Sequence, residues 1–151
     1  MTLQKNDIII DVYTDGACFG NPGPGGWAFI YYFDNLRYEI SGGCKNTTNN
    51  RMELFAVIKA LENTYRFEKI RIFSDSKYVV DGATKWIIKW RKNNWHNSKK
   101  LQIKNFDLWS RIDALLINKN ISWKWVKAHA GNPLNEEVDI LAKNEAAKFT
   151  N

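Results

Sequence analysis

Four carboxylates in this chain sit where carboxylates are costly. Asp15 follows Ile8, Ile9, Ile10 and Val12 in "YTDGA", and Asp75 follows the mostly apolar run from Ile70 to Phe73 in "SDSKYVVDG". Glu53 shares a helical stripe with Val57, Ala60, Leu61 and Thr64, and Asp139 lies between Val138 and Ile140. Two like charges about 4 Å apart repel by about 4 kcal/mol at an effective dielectric of about 20. A whole domain is stable by only about 5–15 kcal/mol. Four converging carboxylates therefore need protons or cations. All-oxygen ligation selects hard ions, Mg2+ or Mn2+, over zinc. Two such ions about 3.5–4 Å apart can clamp the attacking and leaving oxygens of a phosphoryl displacement.

Taken singly, each carboxylate has a structural role open to it. Asp15 before Gly16 fits a turn. Asp75 with Ser76 fits the N-cap of a following helix. Glu53, three residues after Asn50, fits a capping box, and Asp139 complements a helix dipole. The signal lies in the set.

The elements that must bring the set together follow from periodicity and punctuation. Residues 7–14 read as a strand, and the Gly- and Pro-rich "GNPGPGG" at 20–26 as a loop. Residues 27–33 and 36–43 form a hairpin around a short "DN" turn. A helix begins after "TTNN", with Thr and Asn as its N-cap. A strand at 69–74 precedes helical segments at 76–82 and 84–92, then an irregular stretch at 93–104. A helix at 105–118, a strand at 121–127, a loop at 128–136 with Asn135 as N-cap, and a helix at 136–149 complete the order. That order, β-β-β-α-β-α-α-α-β-α, predicts an α/β fold with a five-stranded mixed sheet: three antiparallel strands, then parallel ones, with helices on both faces. Ligands of such sheets gather outside the carboxyl ends of the strands, where Asp15 and Asp75 emerge.

The 151 residues suit one domain, 1–151, with one core. Charged residues number 22 basic against 16 acidic, which favours an anionic partner. Two cysteines, Cys18 and Cys44, form no CxxC pair, so reduced thiols in the cytoplasm fit best. No segment has the apolar length of a membrane span, and the N-terminal apolar run is too short for a signal peptide. Residues 84–104 hold seven basic residues and no acidic one: Lys85, Lys89, Arg91, Lys92, Lys99, Lys100 and Lys104, interleaved with Trp86, Trp90 and Trp95. This pattern fits a phosphate-tracking surface. It equally fits a small aromatic core, built on the i, i+4 pair Trp86 and Trp90, beneath a solvated face.

The segments "YTDGACFGNPGPGGWA", "TTNNRMEL", "SDSKYVVDG" and "VKAHAGNPLNEEVDILA" resemble, in order and spacing, the motifs of bacterial type I ribonuclease H. The resemblance spans nearly the whole chain. It implies the ribonuclease H fold and endonucleolytic cleavage of the RNA strand of RNA–DNA hybrids, leaving 5′-phosphate and 3′-hydroxyl ends. It implies that Asp15, Glu53, Asp75 and Asp139 bind two Mg2+ ions with substrate, and that His129 aids proton handling or product departure. It places Cys18, Asn21, Thr48, Asn49 and Asn50 on the hybrid. It makes the stretch at 84–104 a basic handle, with Trp86, Lys89, Trp90, Arg91, Lys92, Lys99 and Lys100 as contacts. A monomer is the family's usual state. Two positions depart from the pattern. Lys77, also expected on the hybrid, stands where many members carry a glutamine that touches the minor groove; a lysine there still reaches phosphate but changes the hydrogen bonding to base edges. Asn132 stands where some close relatives carry histidine, a change expected to matter little.

Two other functions remain open at this level. A resolvase- or integrase-like nuclease would share the fold and the acidic site, but usually lacks the "TDG", "NNRMEL" and "HAGN" motifs together. A non-catalytic hybrid-binding module would have lost carboxylates that this chain retains.

Overall fold

The computed structural model describes residues 8–150. Strands β1 (Ile9–Cys18), β2 (Gly23–Phe33) and β3 (Leu36–Thr47) lead to helix α1 (Asn49–Asn63) and strand β4 (Lys69–Ser74). Helix α2 (Lys77–Asp81), a π-helical turn (Gly82–Trp86) and α3 (Ile87–Lys92) run on continuously. Helix α4 (Phe106–Leu116), strand β5 (Asn120–Trp125) and helix α5 (Pro133–Ala147) follow. The sheet order is β3-β2-β1-β4-β5. Pairing is antiparallel from β3 to β1 and parallel from β1 through β4 to β5.

One face of the sheet presents Ile10, Val12, Phe29, Ile70 and Ile72 to Leu54, Val57, Ile58 and Leu61 of α1 and to Trp109 and Ile112 of α4. The other face is smaller: Ala17, Ala28 and Ile30 meet Val138 and Ala142 of α5. Strands β1 and β2 thus carry apolar side chains on both faces. The turn Asp34-Asn35, which joins β2 to the edge strand β3, has φ of 53° and 62°. Two-residue hairpin loops need such left-handed values to match strand twist.

Several boundaries differ from expectation: β3 runs on to Thr47 and β5 stops at Trp125, and three further differences bear on the site. Strand β1 continues through Asp15 to Cys18, so Asp15 is no turn residue; it pairs with Ala28. Residue 7, where that strand was expected to begin, lies outside the described residues. Strand β2 begins at Gly23, inside the expected loop. The glycines there serve packing: a Cβ on Gly26 would stand 2.1 Å from the Ala142 carbonyl of α5, and one on Gly25 would stand 2.4 Å from Thr47 Cγ2. Close approach of neighbours overrides the breaker signal. Helix α5 starts at Pro133, and its N-cap is Asn132, whose side chain accepts from the Asn135 N–H at 3.1 Å. Asn132 therefore takes the capping role expected of Asn135.

The segments at 76–82 and 84–92 form one helical run, with the π turn between them. A Cβ at Gly82 would lie 2.3 Å from the Trp109 ring, so this turn sits directly on α4. Beyond it, Trp90 packs at an angle against Trp86, Trp95 and Trp109, with centroids 6.0, 6.2 and 5.2 Å away. Trp90 and Trp95 pack against the main core rather than forming a separate one, and Trp86 adjoins Trp90.

Candidate metal centre and nucleic-acid interface

The parallel register of β1 and β4 sets the first pair of carboxylates. Tyr13 pairs with Phe73, and their rings stack at 4.5 Å on one face. Two residues further along β1, on that same face, comes Asp15, and Asp75 follows Ser74, the last residue of β4, at the bend where the chain leaves the sheet. Asp75 is released from capping duty, because Ser76 is the cap of α2, its side chain accepting from the Val79 N–H at 3.2 Å.

Glu53 reaches this pair because Gly16 has no side chain. A Cβ on Gly16 would lie 2.4 Å from the Glu53 backbone nitrogen and 2.5 Å from the Met52 carbonyl carbon. Helix α1 therefore lies directly on β1. Its cap is Thr48, which accepts from the Arg51 N–H at 3.2 Å, so Glu53 has no capping role. The Gly16 N–H donates to both Asp15 Oδ1 at 2.9 Å and Glu53 Oε1 at 2.7 Å. One backbone donor thus aims two carboxylates at one point. Gly16→Ala should cost about 1–3 kcal/mol of stability through overpacking and lower any activity that needs Glu53. Unfolding in urea beside an activity assay checks both.

Asp15, Glu53 and Asp75 each offer an oxygen within 4.8 Å of the others. Asp15 is 2% exposed and Glu53 3%, and Glu53 Oε2 is buried with no hydrogen-bond partner among the described residues. A buried, unpartnered carboxylate oxygen beside two more carboxylates fits a divalent cation, since it lacks any other compensation. Asp139 flanks the group from the second turn of α5 and is held by Lys143 at 3.0 Å. Three of the four expected carboxylates are thus gathered tightly, and the fourth borders them with its charge partly answered.

Asn135, expected as a helix cap, is instead 2% exposed inside α5, and its Nδ2 donates to Asp75 Oδ2 at 3.4 Å. Its Oδ1 is buried without a hydrogen-bond partner among the described residues. The sequence signal was the Asn itself, one helical turn before Asp139. It was masked by the stronger capping habit of Asn before an acidic helix start. His129 is exposed, in the left-handed conformation with φ of 56°, on the loop between β5 and α5.

Burial is the main force on the site's protonation. It raises Asp15 and Glu53 well above the usual carboxylate range, and the facing negative charges raise them further. Glu53 is pushed up to about 7. Asp75 is also raised, again chiefly by burial. Without metal, the folded protein thus holds protons that the unfolded chain releases near pH 4. Stability from these groups is complete below about pH 4 and is lost as pH rises through the folded values. Urea unfolding in chelator should show stability falling from about pH 4 to 7, a trend Asp15→Asn should flatten.

The expected substrate residues divide into free and engaged groups. Asn21, Thr48, Asn49 and Asn50 line a depression of about 240 Å³ with Lys104 and Asn105. Asn21 Oδ1 accepts from the Asn49 N–H at 2.8 Å, tying the loop after β1 to the start of α1. The Cys18 thiol is directed at the carbonyls of Gly20, Gly23 and Thr47. Among the described residues, Lys89, Lys92, Lys99 and Lys100 are exposed and form no ion pair, whereas Arg91 Nε donates to Asp113 at 2.6 Å. Trp86 and Trp90 are half-buried. The Lys77 ammonium lies 4.9 Å from the centre of the Trp125 ring.

A family model described as RNase H matches residues 7–147. Ribonuclease H of Ehrlichia canis is 50% identical over 148 residues, covering 98% of this chain and 100% of that protein. Ribonuclease HI of Caulobacter vibrioides is 48% identical over 142 residues, covering 94% and 95%. The crystal structure of LC9-RNase H1, described as a type 1 RNase H with the type 2 active-site motif, superimposes with a TM-score of 0.82. It is 29% identical, over 94% of this chain and 74% of that one.

Proposed function

This chain belongs to the ribonuclease H family, and from that membership we propose how its residues perform the family's reaction. The enzyme is an endonuclease that hydrolyses the RNA strand of RNA–DNA hybrids. The observation that carries the reading is the group of three carboxylates with oxygens within 4.8 Å, one of them buried and unpartnered, in a chain matched by the family model along nearly its whole length.

Asp15, Glu53 and Asp75, with Asp139 at the rim, hold Mg2+, and Mn2+ can substitute. Two such ions, when bound with substrate, supply an activated water and neutralise the charge that develops on the leaving oxygen. The chain's own part is placement. The Gly16 N–H fixes the carboxylates of Asp15 and Glu53, and Asn135 orients that of Asp75. His129, on its exposed loop, moves a proton at the leaving 3′ oxygen or eases product departure. The products end in 5′-phosphate and 3′-hydroxyl.

Only RNA carries a 2′-hydroxyl, so strand choice requires short polar groups and close backbone approach. Asn21, Asn49, Asn50 and the backbone near Cys18 supply them, with Thr48 near a phosphate. The handle supplies sequence-independent attraction through Lys89, Lys92, Lys99 and Lys100, and Trp86 packs near a sugar of the DNA strand. The free thiols of Cys18 and Cys44 suit the cytoplasm, and a monomer suffices because one chain holds the whole site. No helix of the described residues is long and apolar enough to cross a membrane.

The test is a substrate panel: hybrid, single-stranded RNA, duplex RNA and duplex DNA, with product ends analysed. Cleavage of the hybrid's RNA strand alone, leaving 5′-phosphates, supports the reading. Preference for branched or duplex DNA would move the chain to the resolvase-like class. Binding without any turnover would make it a hybrid-binding module.

A further inference from the structure

Trp125 occupies the last position of β5, beside Ser74 of β4 and therefore next to the strand end that carries Asp75. Its indole N–H donates to the Asp75 backbone carbonyl at 3.1 Å. This bond fixes the ring plane even though the side chain is 44% exposed. On that ring rests the ammonium of Lys77, 4.9 Å from the centroid. Lys77 is the first residue of α2, exposed, and has no ion-pair partner among the described residues. An exposed tryptophan at a sheet's carboxyl edge is costly to leave in water, and a lysine with no carboxylate partner has many conformations. Here each limits the other. The ring face attracts the cation without neutralising it, so the ammonium stays available to an anion.

We propose that Trp125 is a platform that holds the Lys77 ammonium beside the metal-binding carboxylates, and that the pair forms a binding arm for one backbone phosphate of the hybrid. The proposal rests on the functional reading above and deepens it. Three features point to phosphate. A lysine ammonium is a compact point charge suited to phosphate oxygens and unable to accept a hydrogen bond from a base edge. Asp15, Glu53 and Asp75 gather negative charge at the same strand ends, so a substrate polyanion approaching them needs a fixed positive neighbour. The aromatic contact also limits the entropy that a free lysine would lose on binding. Trp125 is then a positioning residue, acting on substrate through Lys77.

The test compares Lys77→Gln, Trp125→Leu, Trp125→Phe and the double variant Lys77→Gln/Trp125→Leu in hybrid cleavage at several salt concentrations. Each lost phosphate contact lowers the salt slope of binding by about 0.9. Lys77→Gln and Trp125→Leu should each raise KM about three- to tenfold, with a smaller change in kcat, and each should reduce the salt slope by up to about one. The double variant should be no worse than the poorer single, because both remove one contact. Trp125→Phe keeps a ring face but loses the indole N–H, and should recover most of the KM. Additive losses in the double variant would overturn the proposal. So would a fall in kcat with unchanged KM in Trp125→Leu, which would mean that Trp125 acts through the Asp75 carbonyl. Lys77→Gln needs no change at the ring, so a folding defect in the tryptophan variants leaves its salt slope decisive. A wild-type protein that does not cut hybrid would instead overturn the functional reading itself, and the arm with it.

Discussion

Asp15→Asn should reduce hybrid cleavage by at least about a thousandfold while leaving the fold intact and the metal-free protein more stable. The two effects share one cause. Asp15 is 2% exposed and stands within ligand distance of Glu53 and Asp75. Its charge is favourable only when a cation answers it. Asparagine preserves the shape and an oxygen for the Gly16 N–H, but removes a charged metal ligand. A loss of about 4 kcal/mol of transition-state stabilisation corresponds to about a thousandfold in rate. Without metal at neutral pH, the wild-type side chain must take up a proton against its ordinary tendency, because burial and the Glu53 charge raise it. An amide needs no proton, so metal-free stability should rise by about 1–3 kcal/mol, one pKa unit being about 1.4 kcal/mol. Steady-state cleavage and urea unfolding in chelator measure the two halves. A clear fall in metal-free stability would contradict the charge argument even if activity vanished.

Reversing Lys92, Lys99 and Lys100 to glutamate should raise KM about 10- to 100-fold at low salt and flatten the salt dependence. All three are exposed and make no ion pair among the described residues, so their charges are free for phosphate. Loss of three phosphate contacts should lower the salt slope by about 2 to 3. Stability should change by less than about 0.5 kcal/mol per site, since exposed side chains away from special features rarely matter more. The value of kcat at saturating hybrid should change far less than KM, because the handle contributes none of the clustered carboxylates. An unchanged KM across the salt range would remove the handle from the account. Arg91 makes a useful contrast. Its bond to Asp113 gives it a structural partner, so Arg91→Ala should weaken the handle's attachment to α4 as well as binding.

The site was more legible in the sequence than the elements carrying it. Asp15, Glu53 and Asp75 stood out because charged side chains interrupted apolar periodicity, and burial of Glu53 in line with Val57, Ala60, Leu61 and Thr64 bears out that stripe. Strand β4 and the "DN" hairpin turn were readable from local pattern alone. The early start of β2 was not, because its glycines are required by α5 and α1, which follow far later in the chain. The same holds for Gly16, where a turn-like "DG" conceals a contact between strand and helix. Asn132 and Asn135 have equal capping propensity in isolation. Pro133 decides between them, since proline is favoured in the first turn and leaves Asn132 as the cap. That assignment frees Asn135 to face Asp75. The attachment of Trp125 to Asp75 was illegible, because parallel pairing of β4 with β5 is a non-local fact.

The most direct test begins with protein stripped of metal by a chelator and given a hybrid labelled on both strands. No cutting should occur until Mg2+ is added, and then only the RNA strand should shorten, with activity absent in Asp15→Asn. Cutting that persists in excess chelator would contradict the carboxylate account, as would tight, salt-sensitive binding without cleavage at any Mg2+ or Mn2+ concentration.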